Sequence, residues 1–279
     1  MTPSIRSVFT AYTEEGQEEV SAALGYALSL AQQAGAHLTI QAAAMRYAVP
    51  ASLVGDFGMA FVNRENNRIT AMAERFAQIA KTSAALAGVN STIETPELVY
   101  SELSDRLISL ARVHDLSVID QEQDAAERDR GLIESALFDS GRPVIIVPPG
   151  SETFSAKRLL IAWDGSATAA RTVAEARPFL PGAEVEILSV SGEKDLSRFV
   201  PGAELAPHLA RHGAAVTVRN VALSGDSSVA GVIRQAAADF GADLMVCGAY
   251  KHSRLREWLL GGVTHSLLKS TPLPLLMSR

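Results

Sequence analysis

One pattern runs through this 279-residue chain twice: short apolar runs alternate with longer amphipathic segments, and the second pass repeats the first. His114-Asp115-Leu-Ser-Val-Ile-Asp120 lines up with Ala242-Asp243-Leu-Met-Val-Cys-Gly248. Ser135-Ala-Leu137 through Pro143-Val-Ile-Ile-Val147 lines up with Ser266-Leu-Leu268 through Pro274-Leu-Leu-Met277 at equal internal spacing. Short apolar runs set between helical segments mark strands buried on both faces, as in parallel sheets covered by helices. A chain that does this twice predicts an α/β fold of two tandem doubly wound domains. Each is a five-stranded parallel sheet with helices on both faces. The domains are expected at 1–150 and 157–279, with the Pro- and Gly-containing stretch that opens at Pro148-Pro-Gly150 as linker.

In the first half the strands are read at 5–10, 37–43, 91–95, 116–119 and 144–147. Helices are read at 17–34, 59–87, 103–113 and 129–138. Gly35 and Gly88 close the first two helices as C-caps. Pro50, Gly55 and Gly58 make 45–58 a loop. In the second half the strands are 158–163, 185–190, 216–221, 244–247 and 275–277. The helices are 167–179, 204–212, 226–240, with Asp226 or Ser227 as cap, and 263–268.

Composition narrows the function. A net charge of −6 and a pI near 5.6 argue against a broad nucleic-acid footprint. The single cysteine, Cys247, excludes an intramolecular disulfide framework and reads as a small buried hydrophobe. The N-terminus has no apolar signal core, and no run approaches the ~18 apolar residues of a membrane span, so a cytoplasmic protein without membrane partners is expected. His208 and His212, with Glu204, share one helix face; without a third ligand they read as a solvated face rather than a metal pair. The sequence has no GxSxG, HExxH, GxxxxGK[ST] or CxxC motif, so no catalytic residues are assigned.

The richest stretch is 243–264: a buried strand, Gly248 at its end, a polar turn, then Gly261 and Gly262 ahead of a second apolar segment. Ligands in doubly wound sheets lie at the carboxyl ends of strands. Gly248 stands at one such end and Asp164 at another. Gly248 reads either as close backbone approach to a phosphate or as a turn glycine. Asp164 contacts a ligand, or Asp164 or Ser166 simply caps the next helix. Lys251 offers a cation to phosphate or lies solvated; His252, Ser253, Arg254 and Arg256 make the turn polar and basic. Val190, at the end of the second strand of this half, reads as core before ligand contact.

Ile161-Ala-Trp-Asp164-Gly-Ser166, the stretch 248–264 and the order of elements resemble the universal stress protein family, and the doubling resembles a tandem member of it. The resemblance implies adenine-nucleotide α-hydrolase-like domains and a stress or regulatory role. The family's phosphate motif is a Gly, two residues, a Gly, nine residues, a Gly and a Ser or Thr. Gly248 and Gly261 take the first and third glycine positions. Lys251 stands at the second, and Gly262 at the hydroxyl position, with Thr264 two residues on. The implied site is Asp164 and Val190 at the base, and Gly248, Lys251, His252, Gly261, Gly262, Val263 and Thr264 around the phosphates. The ligand is ATP, with or without Mg, and any hydrolysis is slow. The alternative is an interaction module of the same fold that binds no nucleotide. In the first half, Asp120 stands where Gly248 stands, an acidic stretch follows, and Thr10-Ala-Tyr12-Thr13 offers no aspartate. This half is therefore expected to be structural, since carboxylates repel a polyphosphate. The resemblance further implies pairing of the last strands, 144–147 and 275–277, into an intramolecular pseudo-dimer. Protein partners and homodimerisation stay open.

Overall fold

The structure, a computed structural model, describes residues 4–13, 21–121, 127–192, 202–223, 227–249 and 262–279. The first half runs β1 (Ser7–Thr13), α1 (Ala22–Ala34), β2 (His37–Met45), α2 (Ala51–Ala87), β3 (Ser91–Glu94), β4 (Glu97–Leu98), α3 (Tyr100–Arg112), β5 (Leu116–Asp120), α4 (Glu127–Asp139) and β6 (Val144–Val147). The second runs β7 (Arg158–Ala162), α5 (Ala167–Glu175), a 3-10 turn (Arg177–Phe179), β8 (Glu184–Ser191), α6 (Leu205–Arg211), β9 (Ala215–Ala222), α7 (Val229–Phe240), β10 (Leu244–Gly248), α8 (Gly262–Lys269) and β11 (Leu275–Ser278).

Each half builds a five-stranded parallel sheet, β3-β2-β1-β5-β6 and β9-β8-β7-β10-β11, and the two join edge to edge into one sheet. The joint is the antiparallel pair β6–β11, with Leu275 opposite Ile146, Leu276 opposite Ile145 and Met277 opposite Val144. Ile145 and Leu276 are counterparts in the sequence repeat, so each faces its own equivalent, as a pseudo-twofold requires. The seven apolar side chains of these strands are fully buried. Burying each is worth about 1.5–3 kcal/mol, which ties the halves together. Buried residues of α1, α2, α5 and α6 pack on one face of the sheet. Those of α3, α4, α7 and α8 pack on the other. The short β4, which pairs with β2 just past Pro96, was not foreseen.

The repeat carries a shared device at the amino edge. Asp115 Oδ2 accepts from Arg6 N at 2.7 Å and Ser7 N at 2.9 Å, pinning the start of β1. Asp243 does the same for β7, accepting from Lys157 N at 3.0 Å and Arg158 N at 3.1 Å. Both aspartates open the fourth long strand of their half.

Beyond shifts of a few residues at other element ends, these boundaries differ from the sequence reading. The expected loop 45–58 is helical from Ala51, with a break at Gly55 (φ 62°, ψ −175°) where two helical segments meet. This overhang is held from the loop side by the buried Asn66, whose Oδ1 accepts from Tyr47 N at 2.8 Å and whose Nδ2 donates to Tyr47 O at 3.1 Å. The helix expected at 167–179 stops at Glu175, because Pro178 removes an N–H and only a 3-10 turn continues. Helix α7 is capped by Ser228, which accepts from Gly231 N, not by Ser227; Asp226, the other expected cap, lies outside the described residues. Helix α1 starts at Ala22 behind the cap Ser21; the earlier part of that expectation reaches outside the described residues. Gly35 and Gly88 close α1 and α2 in the left-handed conformation, as expected.

Candidate ligand edge of the second half

The carboxyl ends of β7, β8 and β10 lie side by side, since β7 pairs with both β8 and β10. Past the end of β7, Trp163 N donates to Leu188 O at 2.8 Å, and Ser189 Oγ donates to Trp163 O at 2.9 Å. These bonds fix where the chain leaves the sheet, and Asp164 follows directly. Asp164 is half-buried, and its Oδ1 accepts from Ser166 N at 3.0 Å around Gly165, whose φ is 73°. The cap of α5 is Ser166, whose Oγ accepts from Ala169 N at 3.0 Å. Asp164 therefore orders the turn and does not itself cap the helix. Its negative charge also reaches β10: burial first, and Asp164 second, push the Cys247 thiol up to about 12.

Gly248 ends β10, is buried, and pairs with Ser278 of β11. A Cβ added there would lie 3.0 Å from Ala169 N and 3.2 Å from the Thr168 carbonyl carbon. The glycine is thus required by α5, whose first turn rests on the strand backbone. Val190 is half-buried in β8, pairs with Val221 and packs against the apolar cluster on the α7 side. Gly262 opens α8 and is exposed, with nothing within 4 Å of an added Cβ. Val263 is half-buried, and Thr264 is 1% exposed. Lys251, His252 and Gly261, with Ser253, Arg254 and Arg256, lie outside the described residues.

Sequence reasoning missed Arg234, which holds α8 in place. Its Nε donates to Ser270 O at 2.8 Å, and its Nη2 donates to Ser266 O at 2.5 Å and Ser266 Oγ at 2.9 Å. The available signal was a lone arginine in the Ala-rich run 229–240. His208 on α6 and His212 at its C-cap have rings 4.8 Å apart, and among the described residues no group of three or more His, Cys, Asp or Glu side chains is placed to hold a metal.

The first half is built differently at its carboxyl edge. A cavity of about 360 Å³ lies beyond the end of β2, beneath the α2 overhang, walled by Tyr47, Val49, Met59 and Val62 with Arg46 and Glu97. Arg46 and Glu97 pair there at 3.1 Å. The counterpart of α2 in the second half is α6, seven residues long against 37.

Fold and edge together define a tandem doubly wound α/β protein that keeps a glycine-bearing strand end and a glycine-led helix in its second half. Residues 155–279 match the model of the universal stress protein family. This half belongs to that family, and the same fold is laid down across both halves. A universal stress protein from Archaeoglobus fulgidus is similar over 98% of both chains, at 15% identity and a TM-score of 0.73. A functionally unknown protein from Pseudomonas aeruginosa PAO1 is similar over 98% of this chain and 92% of its own, at 14% identity and a TM-score of 0.60. A putative universal stress protein from Pseudomonas aeruginosa UCBPP-PA14 covers 98% and 93%, at 15% identity and a TM-score of 0.57. No curated protein matches the sequence. No helix among the described residues is long and apolar enough to cross a membrane.

Proposed function

We propose that the second domain, 157–279, binds an adenine nucleotide, ATP, as the ligand of a stress-response or regulatory protein, and that the first, 1–150, is its structural partner. The observation that carries the reading is Gly262: it leads α8, and among the described residues nothing lies within 4 Å of a side chain added there. A helix N-terminus left open in this way suits an oxyanion, because its first N–H groups lack partners within the helix. Thr264 is buried, so the backbone N–H groups of Gly262 and Val263 are the donors offered to phosphate. Asp164, at the end of the neighbouring strand, is the acceptor for the amino edge of the base, with Val190 as the apolar contact beside it. Lys251, which precedes α8 in the sequence, supplies positive charge and His252 a ring N–H. Mg, where present, would neutralise phosphate charge; no chemical step is assigned to the protein's own residues.

A second reading has one observation in its favour. The close contact with α5 is a sufficient reason for a glycine at 248, without any ligand. On that reading the chain is an interaction module of the same fold. Calorimetric titration with ATP, with and without Mg, separates the two. The nucleotide reading expects one saturable site per chain. Gly262→Asp, which places a carboxylate in open space at α8, and Asp164→Ala should each weaken it at least tenfold, or about 1.4 kcal/mol. Absence of heat, together with purified protein free of nucleotide, selects the interaction module.

A further inference from the structure

The position after the apolar run of the fourth long strand holds Gly248 in one half and Asp120 in the other, and the two do opposite things. At Gly248 helix α5 closes onto β10 so that an added Cβ would lie 3.0 Å from Ala169 N and the helix would have to shift. At Asp120 a carboxylate stands between β5 and α1. Its Oδ1 accepts from Ala23 N at 2.8 Å, its Oδ2 accepts from Ser21 Oγ at 2.5 Å, and Ala22 N also donates to it. Ser21 caps α1 as Ser166 caps α5, each accepting from the N–H three residues on. The helix starts are therefore equivalent, and the extra anion is what distinguishes them.

We propose that Asp120 is the resident anion of the first half: it takes the oxyanion-seeking end of α1 for the protein's own use, so this edge is closed to phosphate-bearing ligands by a single side chain. Two backbone N–H groups and a hydroxyl converge on one carboxylate at the carboxyl edge of a doubly wound sheet. That donor set suits a small oxyanion, and a helix of 13 residues adds its dipole. The assignment does not depend on ATP binding by the second half. It goes beyond the expectation that the first half is structural by naming the group that makes it so.

Chemical rescue tests it. Asp120→Ala keeps the Cβ that the site already accommodates and removes the carboxylate. In the full chain its thermal midpoint should fall below that of the native protein. It should then recover saturably with formate or inorganic phosphate, and not with chloride at matched ionic strength. The native protein and Asp120→Asn, whose site remains filled, should respond alike to all three salts. The native chain carries the same second half, so the difference between it and the alanine variant isolates the first. If Asp120→Ala does not fold, refolding from urea gives the readout: native circular dichroism regained with phosphate and not with chloride supports the assignment, and no regain under either overturns it. An alanine variant that tracks the native midpoint in every salt also overturns it.

Discussion

Gln41 provides the sharpest test of how the two halves divide their roles. It lies in β2, is 0% exposed, and neither its Nε2 nor its Oε1 has a hydrogen-bond partner among the described residues. Strand register makes Leu188 its counterpart, since Ser7 pairs with His37 as Arg158 pairs with Glu184. Leu188 is 1% exposed and packs in the cluster on the same face of the sheet. Each buried, unpaired polar group costs about 1–3 kcal/mol, so the amide costs about 2–6 kcal/mol against an apolar group of the same shape. A volume-conserving swap loses up to about 1.5 kcal/mol in fit. Gln41→Leu should therefore stabilise the protein by about 0.5–6 kcal/mol. Urea unfolding followed by circular dichroism measures this as a raised midpoint at unchanged slope. Both tryptophans, Trp163 and Trp258, lie in the second half, so fluorescence followed alongside shows whether the gain spreads across the shared sheet. An unchanged or lowered midpoint would refute the reasoning and mean that the amide is satisfied in solution.

Three further outcomes are expected. Gly248→Ala should lose about 1–3 kcal/mol by pushing α5 off β10, whereas Gly262→Ala should be tolerated; equal losses in thermal unfolding would contradict the packing account. Cys247, its thiol pushed up to about 12 by burial and by Asp164, should resist a disulfide reagent at mildly alkaline pH until urea unfolds the chain. Burial raises the Asp120 carboxyl above its ordinary value, against the opposing pull of Ser21, Ala23 and Ala22. Burial thus favours the acid at low pH, and the carboxylate held by α1 is the form above the raised value: the acid's contribution is full below about pH 3.9 and is lost as pH rises through the raised value. Asp120→Asn should flatten this part of the pH–stability curve, and an unaltered slope would assign the loss to other groups.

The repeat made the architecture legible because strands buried on both faces leave little choice of residue. The pairing of Val144-Ile-Ile-Val147 with Leu275-Leu-Met277 was implied by the family resemblance, and the two strands do pair. The helical start at Ala51 was not legible: Pro50, Gly55 and Gly58 carry loop signals, and Gly55 does break the helix, but the segments on either side still wind. Asp115 and Asp243 were matched as a repeat, yet their task is to hold backbone N–H groups 85–109 residues away in sequence, which no local pattern announces. At the candidate site Asp164 and Gly248 fall on neighbouring strand ends, as their spacing suggested. The physical reason for Gly248 was hidden, because it depends on a helix that begins some 80 residues earlier in the chain.

The pseudo-twofold locates where the halves have diverged. At the amino edge they agree: Asp115 and Asp243 pin the first strand with the same pair of N–H bonds. In the middle they agree in burial, with the substitution of Gln41 for Leu188 as a local departure. At the carboxyl edge they part: Thr13 stands where Asp164 stands, Asp120 where Gly248 stands, and two helical segments over 51–87 stand in the first half where, among the described residues, the seven-residue α6 stands in the second. The amino edge and the centre are held by the demands of strand start and core, which are the same in both copies. The carboxyl edge is where a doubly wound sheet receives its ligand, so its side chains are free to differ once the copies take different roles. Divergence at that edge, with the scaffold shared elsewhere, is what one binding half and one closed half would leave behind.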